Sequence, residues 1–489
     1  MDLVLIHPNG RSGIYQGLAD LAAVEPPLWA CMLASYARLK GHSVAIVDAE
    51  AEQLSPKAVA GRVAAMNPLL ACVVAYGHQP SASTQVMPAA GETMRALSAA
   101  CRPTTITMLL GGHVAALPER TWREESAAFV CTGEGPETIH RVLCALKLKG
   151  VPSGAEGLVH FGGRTPDAPL VEYLDHEIPA PAWDLLPKPL TEYRAHNWHM
   201  LGQPAGGGYA SLYTTLGCPF DCSFCCIQAP FRSGERLAKK KAASYRRWSP
   251  WRVGETLGEL ANAGVRNVKL ADEMFVLNPA HVEGVCDEIL RRKLDLNLWA
   301  YARTDTVRDG MPKLLKKAGF NWLAFGIESG AEEVRDRSRK SLGQSEDIEG
   351  TLRKVREAGI HVIGNFIFGL PGETMVSMKR TLDFAVELNC EWANLYCAMA
   401  YPGSPVYEEA VQTRPWDLPT SWAGYSQHGR ESLPLRTDAL TAREIVSFRD
   451  AAFRAYYSSD RYTKMIGDTF GSSAVSEVFR MLAVKLDRA

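Results

Sequence analysis

The sequence has no apolar run approaching the roughly 20 residues that a membrane-spanning helix needs; one of its longer candidates, residues 69–76, is strand-sized. It also lacks an excess of either charge: 53 Lys and Arg stand against 54 Asp and Glu, a net −1. Phosphate backbones and anionic membranes attract a basic excess, so neither a nucleic-acid partner nor a membrane span is expected. The opening MDLVLIHPNG has no basic start and no long apolar core of a secretion signal. The expectation is a cytoplasmic protein, a setting where structural disulfides are rare. Its 12 Cys are then either core thiols or metal ligands. No G-x-G-x-x-G follows the first strand, which removes the dinucleotide fingerprint, and there is no internal repeat.

What is present is alternation. The 489 residues allow two to four domains at roughly 100–200 residues each. In residues 1–150, strands are expected at 3–6, 43–47, 71–76, 105–110 and 128–131. Helices are expected at 28–40, 56–66, 86–100 and 136–147. A βαβα order implies a doubly wound parallel sheet with helices on both faces, binding its ligand at the carboxyl ends of the strands. Residues 151–205 read as a Pro- and Gly-rich linker. Residues 206–415 hold six further β/α units, with strands at 210–214, 267–270, 296–300, 322–325, 362–368 and 393–399. Helices are expected there at 251–263, 280–292, 311–318, 345–358 and 375–388. That pattern implies a partial (β/α)6 barrel whose chemistry sits on the loops after its strands. Residues 416–489 read as a small, mainly helical C-terminal subdomain with helices at 441–457 and 474–487, and the whole is an α/β protein.

Leu216-Gly217-Cys218-Pro219-Phe220-Asp221-Cys222-Ser223-Phe224-Cys225-Cys226 follows the first barrel strand. A zinc site takes four ligands, usually as two close pairs; here one triplet, C-x3-C-x2-C, stands alone. Thiolates also hold iron–sulfur clusters, and three of them around four irons would leave one iron open to a substrate or cofactor. Core thiols or a zinc site are the alternatives.

The triplet, with Phe224 inside it, resembles the radical S-adenosylmethionine (SAM) superfamily. The resemblance implies that Cys218, Cys222 and Cys225 hold a [4Fe–4S] cluster whose open iron chelates the amino and carboxylate groups of SAM. One electron, from a flavodoxin or ferredoxin type of donor, then releases methionine and a 5′-deoxyadenosyl radical. Phe224 would lie beside the adenine, and Cys226 would be a packing thiol. Asp272 and Glu273, in Ala271-Asp272-Glu273-Met274-Phe275, resemble the acidic motif that receives the amino group, though the same residues could cap the next helix. Arg303 would pair with the SAM carboxylate or sit on the surface. Glu328, in Phe325-Gly326-Ile327-Glu328-Ser329-Gly330, would accept from the ribose hydroxyls, with Ser329 beside it. Ile367, in the segment Gly364 to Glu373, would touch the adenine.

The first domain resembles the cobalamin-binding domain of the B12-dependent branch. The resemblance rests on Pro26-Pro27-Leu28, Gly41-His42-Ser43-Val44, Asp48-Ala49, Gly111-Gly112-His113 and Gly133-Glu134-Gly135-Pro136-Glu137. It implies cobalamin contacts from Asp48, Tyr76, Gly77, Gly111, Gly112, Glu134 and Gly135, with His78 and Gln79 near the corrin's lower face. His7 has the spacing of a cobalt-ligating His, but Leu5 stands where that pattern has Asp. Without the carboxylate nothing fixes the imidazole, so His7 is expected to be a loop or pocket-wall residue. The implied activity is methylation of an unactivated carbon of a small molecule. The alternative is radical cyclisation, oxidation or rearrangement with the same cofactors. A transfer RNA methylthiotransferase is a more distant reading, since the early Cys residues are scattered and the C-terminus is not basic.

Overall fold

The computed structural model describes residues 1–77, 83–204, 206–231, 245–340 and 347–489. His78 and Gln79 lie outside these.

Five parallel strands form the body of the first sheet: β1 (Leu3–His7), β2 (Val44–Asp48), β3 (Leu70–Ala75), β4 (Ile106–Gly111) and β5 (Phe129–Cys131), in the order β2-β1-β3-β4-β5. Their near-continuous apolar sequences follow from burial on both faces. The pleat divides β1 between two cores. Leu3 and Leu5 pack with helices Leu28–Leu39 and Pro136–Lys147, while Val4 and Ile6 pack with helices Pro56–Met66 and Ser83–Ala100.

The segment read as a linker does more than connect. It adds β6 (Leu158–His160) and β7 (Gly163–Arg164) as antiparallel strands at the sheet's edge, so the sheet is mixed rather than wholly parallel. These strands are three and two residues long, too short for a periodic signal. The rest runs as a strap: Tyr193 donates to Asp48 (2.8 Å) and Trp248 donates to the Ile178 carbonyl (2.8 Å).

A short antiparallel pair, β9 (Thr215–Leu216) with β10 (Arg246–Arg247), follows the first strand of the second sheet. That sheet is all parallel and sequential: β8 (Tyr209–Leu212), β11 (Asn267–Leu270), β12 (Asn297–Ala302), β13 (Phe320–Glu328), β14 (His361–Phe368) and β15 (Trp392–Cys397). This is the open six-stranded barrel expected. Its edge strand is covered from the C-terminal segment. The Gln427 amide exchanges two hydrogen bonds with Cys397 (2.9 and 2.8 Å), and Arg449, on helix Ala442–Tyr457, donates to the Leu395 carbonyl (2.8 Å). Helix Asp460–Phe470, started by the Ser459 cap, was not foreseen; helix Ser472–Ala483 was, a few residues out of register. One apolar core runs from Leu3 and Leu33 through Tyr209 and Leu257 to Ile445, so the sheet domain and the barrel are packed as one body.

Candidate functional site

The carboxyl ends of the two sheets face each other. Trp29, opening the first long helix, stacks on Tyr76 after β3 (4.9 Å) and meets Tyr213 after β8 edge-on (6.2 Å). Across the same seam, buried Glu25 accepts from Ser211 (2.7 Å) and Tyr209 (3.1 Å) and pairs with Lys269 (3.4 Å). Glu134 bridges the domains a second time, with its carboxylate on Arg246 of β10 (2.6 Å) and on the Val171 amide (2.7 Å).

The thiols sit on the loop after β8. Gly217 (φ +86°) turns the chain and Gln228 donates to the Cys218 carbonyl. Ser223 donates its amide to Ser338 (3.0 Å) and accepts at its carbonyl from Val406 (3.0 Å), tying the loop to the far side of the barrel. Burial pushes the Cys218 thiol up to about 12, and Cys222 and Cys225 are raised by the same cause. Cys226, Cys222 and Cys218 each add to the rise at Cys225, so all three lie within its electrostatic reach. Cys225 and Phe224 face the large cavity; Cys226 is buried beside Gly403.

That cavity has a volume of about 500 Å³. It extends from Cys225, Glu273 and Glu328 to a floor of Trp198, Trp299 and Trp392, and is walled on the first-domain side by Tyr15, Leu18 and Gln85. Around it the expected residues sort into distinct roles. Asp272 is fully buried and already engaged, accepting from the Thr214 and Thr215 amides (2.6 and 3.1 Å) and the Thr214 hydroxyl (2.5 Å). Glu273 faces the cavity with a carboxylate oxygen that has no hydrogen-bond partner, and burial raises it to about 8. Arg303 is buried rather than on the surface. It forms a two-pronged pair with Asp305 (2.8 and 2.7 Å) and lies over the Phe220 ring (4.1 Å). Glu328 takes a left-handed conformation (φ +64°) where the β13–β14 register shifts, and pairs with buried Lys340 (2.5 Å). A Cβ at Gly326 would press on the tips of both of these charged side chains, so glycine leaves room for the pair. The Ser329 hydroxyl is held by Thr381 (2.9 Å) and the Ala331 amide (3.1 Å). Phe224 and Ile367 pack on one small apolar cluster and both face the cavity.

On the first-domain side, Tyr76 and Gly77 line a small second cavity of about 40 Å³ with His7, Glu25 and Trp29; the Tyr76 hydroxyl is buried with no partner. Asp48 is committed to Tyr193 and the Ala51 amide (3.1 Å). Gly111 and Gly135 shape backbone. A Cβ at Gly111 would stand 2.1 Å from the Ala75 carbonyl oxygen, and one at Gly135 2.1 Å from Leu110. Gly112 opens the short helix Gly112–Ala116 after β4.

Residues 212–385 match the radical SAM superfamily, and residues 17–143 match the B12 binding domain. The chain thus carries a B12-binding domain followed by a radical SAM domain. It is 28% identical to an uncharacterized methyltransferase of Pyrococcus horikoshii, over 84% of this chain and 83% of the relative. It is 25% identical to the anaerobic magnesium-protoporphyrin IX monomethyl ester cyclase of Cereibacter sphaeroides, over 94% and 70%. Among solved structures, the radical SAM methyltransferase TsrM from Kitasatospora setae, with cobalamin and a [4Fe–4S] cluster bound, superposes at a TM-score of 0.71 and 18% identity. That match covers 98% of this chain and 99% of TsrM.

The side chains of this radical SAM barrel fit the groups the family carries. A single zinc ion would hold thiolates about 3.8 Å apart. Among the described residues, the only three or more possible ligand side chains with all ligand atoms within 4.8 Å of one another are His42, His140 and Cys144. At least two of the Cys218, Cys222 and Cys225 sulfurs therefore lie more than 4.8 Å apart, wider than a single ion holds its thiolates. The unpartnered Glu273 carboxylate suits an ammonium, and the Phe224–Ile367 slot suits a flat ring. In the B12 domain, the orphaned Tyr76 hydroxyl and the Gly77 backbone lie at the sheet edge facing the barrel. Neither Lys340 nor the Glu25–Lys269 pair was foreseen from the sequence. A Lys within the buried strand NVKL was the available signal for the latter.

Proposed function

We propose that this protein methylates an unactivated carbon of a small molecule, using a [4Fe–4S] cluster, SAM and cobalamin. The observation that carries the reading is the single cavity of about 500 Å³, which Cys225 and Glu273 of the barrel and Tyr15 and Gln85 of the first domain all face. When bound, the cluster supplies the electron that cleaves SAM and cobalamin supplies the methyl group. Cys218, Cys222 and Cys225 would hold the cluster. Glu273 would accept the SAM amino group, as a carboxylate does for an ammonium. Arg303, oriented by Asp305, would face the SAM carboxylate. Glu328, held by Lys340, would accept from the ribose, and Phe224 with Ile367 would sandwich the adenine. Asp272 and Ser329 would position these groups without touching the cofactor. Tyr76 and Gly77 would meet the corrin; Asp48, Gly111, Gly112, Glu134 and Gly135 would shape its seat. The aromatic floor keeps water from the reacting centre, which protects a radical from quenching. We also place the protein in the cytoplasm, with a flavodoxin- or ferredoxin-type donor, residues 1–150 as the cobalamin unit and 206–415 as the barrel.

Cyclisation without methyl transfer is the second reading, favoured by the cyclase match along 94% of the chain. The two differ in what becomes of SAM. With deuteriomethyl-labelled SAM, reductant and a pool of small metabolites, the methylation reading predicts deoxyadenosine, S-adenosylhomocysteine and a product carrying the label. Deoxyadenosine with an unlabelled product would overturn it in favour of cyclisation.

A further inference from the structure

At the amino edge of the first sheet, away from the cofactor seam, three side chains converge. His42 lies in the turn before β2. His140 and Cys144 are one helical turn apart on helix Pro136–Lys147, a spacing that places them on one face. His42 Nε2 stands 2.9 Å from His140 Nδ1, and Cys144 Sγ stands 3.7 Å from the same nitrogen. All three ligand atoms lie within 4.8 Å of one another.

We propose that His42, His140 and Cys144 form a zinc site on the B12 domain. A tetrahedral zinc with bonds of about 2.0–2.1 Å to nitrogen and 2.3 Å to sulfur separates two imidazole nitrogens by about 3.3 Å, and nitrogen from sulfur by about 3.6 Å. The sulfur–nitrogen distance is already there, and the two rings need to part by only about 0.4 Å. Two imidazoles and one thiolate are ligands that suit zinc, and the fourth position is left to water. Burial lowers both histidines below the usual imidazole range, which keeps them neutral, as ligands must be. The His42 Nδ1 is buried with no partner. On binding, the proton of the His–His hydrogen bond moves to that ring's other nitrogen and the Cys144 thiol proton leaves to solvent. The neighbouring Lys147 is paired with Asp2 (2.8 Å), which tempers its repulsion of a cation. The metal would join the last helix of the sheet domain to the turn that starts β2, so its role is to brace the domain.

The test uses the full chain with cluster and cobalamin loaded, stripped of loose metal and given zinc sulfate. Iodoacetamide labelling is then read cysteine by cysteine by peptide mass spectrometry. At zinc tenfold above its dissociation constant, Cys144 labelling should slow about tenfold. One zinc per chain should be bound, and it should be lost in Cys144→Ser and in His140→Ala. Cys144 labelled equally fast with and without zinc, or zinc retained in Cys144→Ser, would overturn the site. Zinc that protects Cys218, Cys222 or Cys225 and not Cys144 would overturn it too. Because Cys144 is only half-buried, its serine variant keeps the test open if His140→Ala fails to fold.

Discussion

Two adjacent carboxylates, Asp272 and Glu273, are indistinguishable in the sequence and opposite in the fold. Asp272 spends one oxygen on the Thr214 and Thr215 amides and the other on the Thr214 hydroxyl, holding the start of the cysteine loop. Glu273 keeps an oxygen unpartnered in the cavity. Its pairing with an ammonium is a charge-assisted interaction worth about 1.5–3 kcal/mol, or roughly 10–150-fold in affinity. Glu273→Gln should therefore weaken SAM binding by that factor with iron content unchanged, measured by calorimetry on reconstituted protein. Unchanged affinity would remove Glu273 from the site. Glu328 behaves differently: taking its charge away strands Lys340, a buried cation near Cys222. Its pairing partner was illegible because the two meet only through the turn of β13.

At the scale of elements, the parallel strands and the long helices were legible because their periods are strong. The expected helix 375–388 coincides with Met375–Leu388, and 56–66 with Pro56–Met66. The β6–β7 hairpin was not, since its strands are too short, and the Asp460–Phe470 helix was missed although the Ser459 cap and Gly471 mark its two ends. The glycine turns were read as cofactor contacts, whereas Gly111 acts first on the sheet. Its added Cβ would meet backbone, the Ala75 carbonyl oxygen at 2.1 Å, with no flexible side chain to give way. Gly111→Ala should force β3 and β4 apart at the cofactor edge. The cost should be about 1–3 kcal/mol or more in denaturant unfolding, together with weaker cobalamin retention. A variant as stable as the parent would show that the edge yields more easily than its geometry implies.

For the whole molecule, the order of the two domains and the cysteine spacing already specified the family, because those signals are local in sequence. How the domains meet was not readable. The Glu134–Arg246 and Glu25–Lys269 pairs join positions more than a hundred residues apart. They hold the carboxyl ends of both sheets face to face, with the large cavity and the small Tyr76–Gly77 cavity at that seam, and the account stands on that convergence. The most direct measurement is the iron and cobalt content of the full chain after anaerobic reconstitution, beside its Cys225→Ala and Cys226→Ala variants. The parent and Cys226→Ala should each hold about four irons per chain and one cobalamin, while Cys225→Ala should lose the iron. A parent without cobalt, or a Cys226→Ala protein without its cluster, would contradict the account.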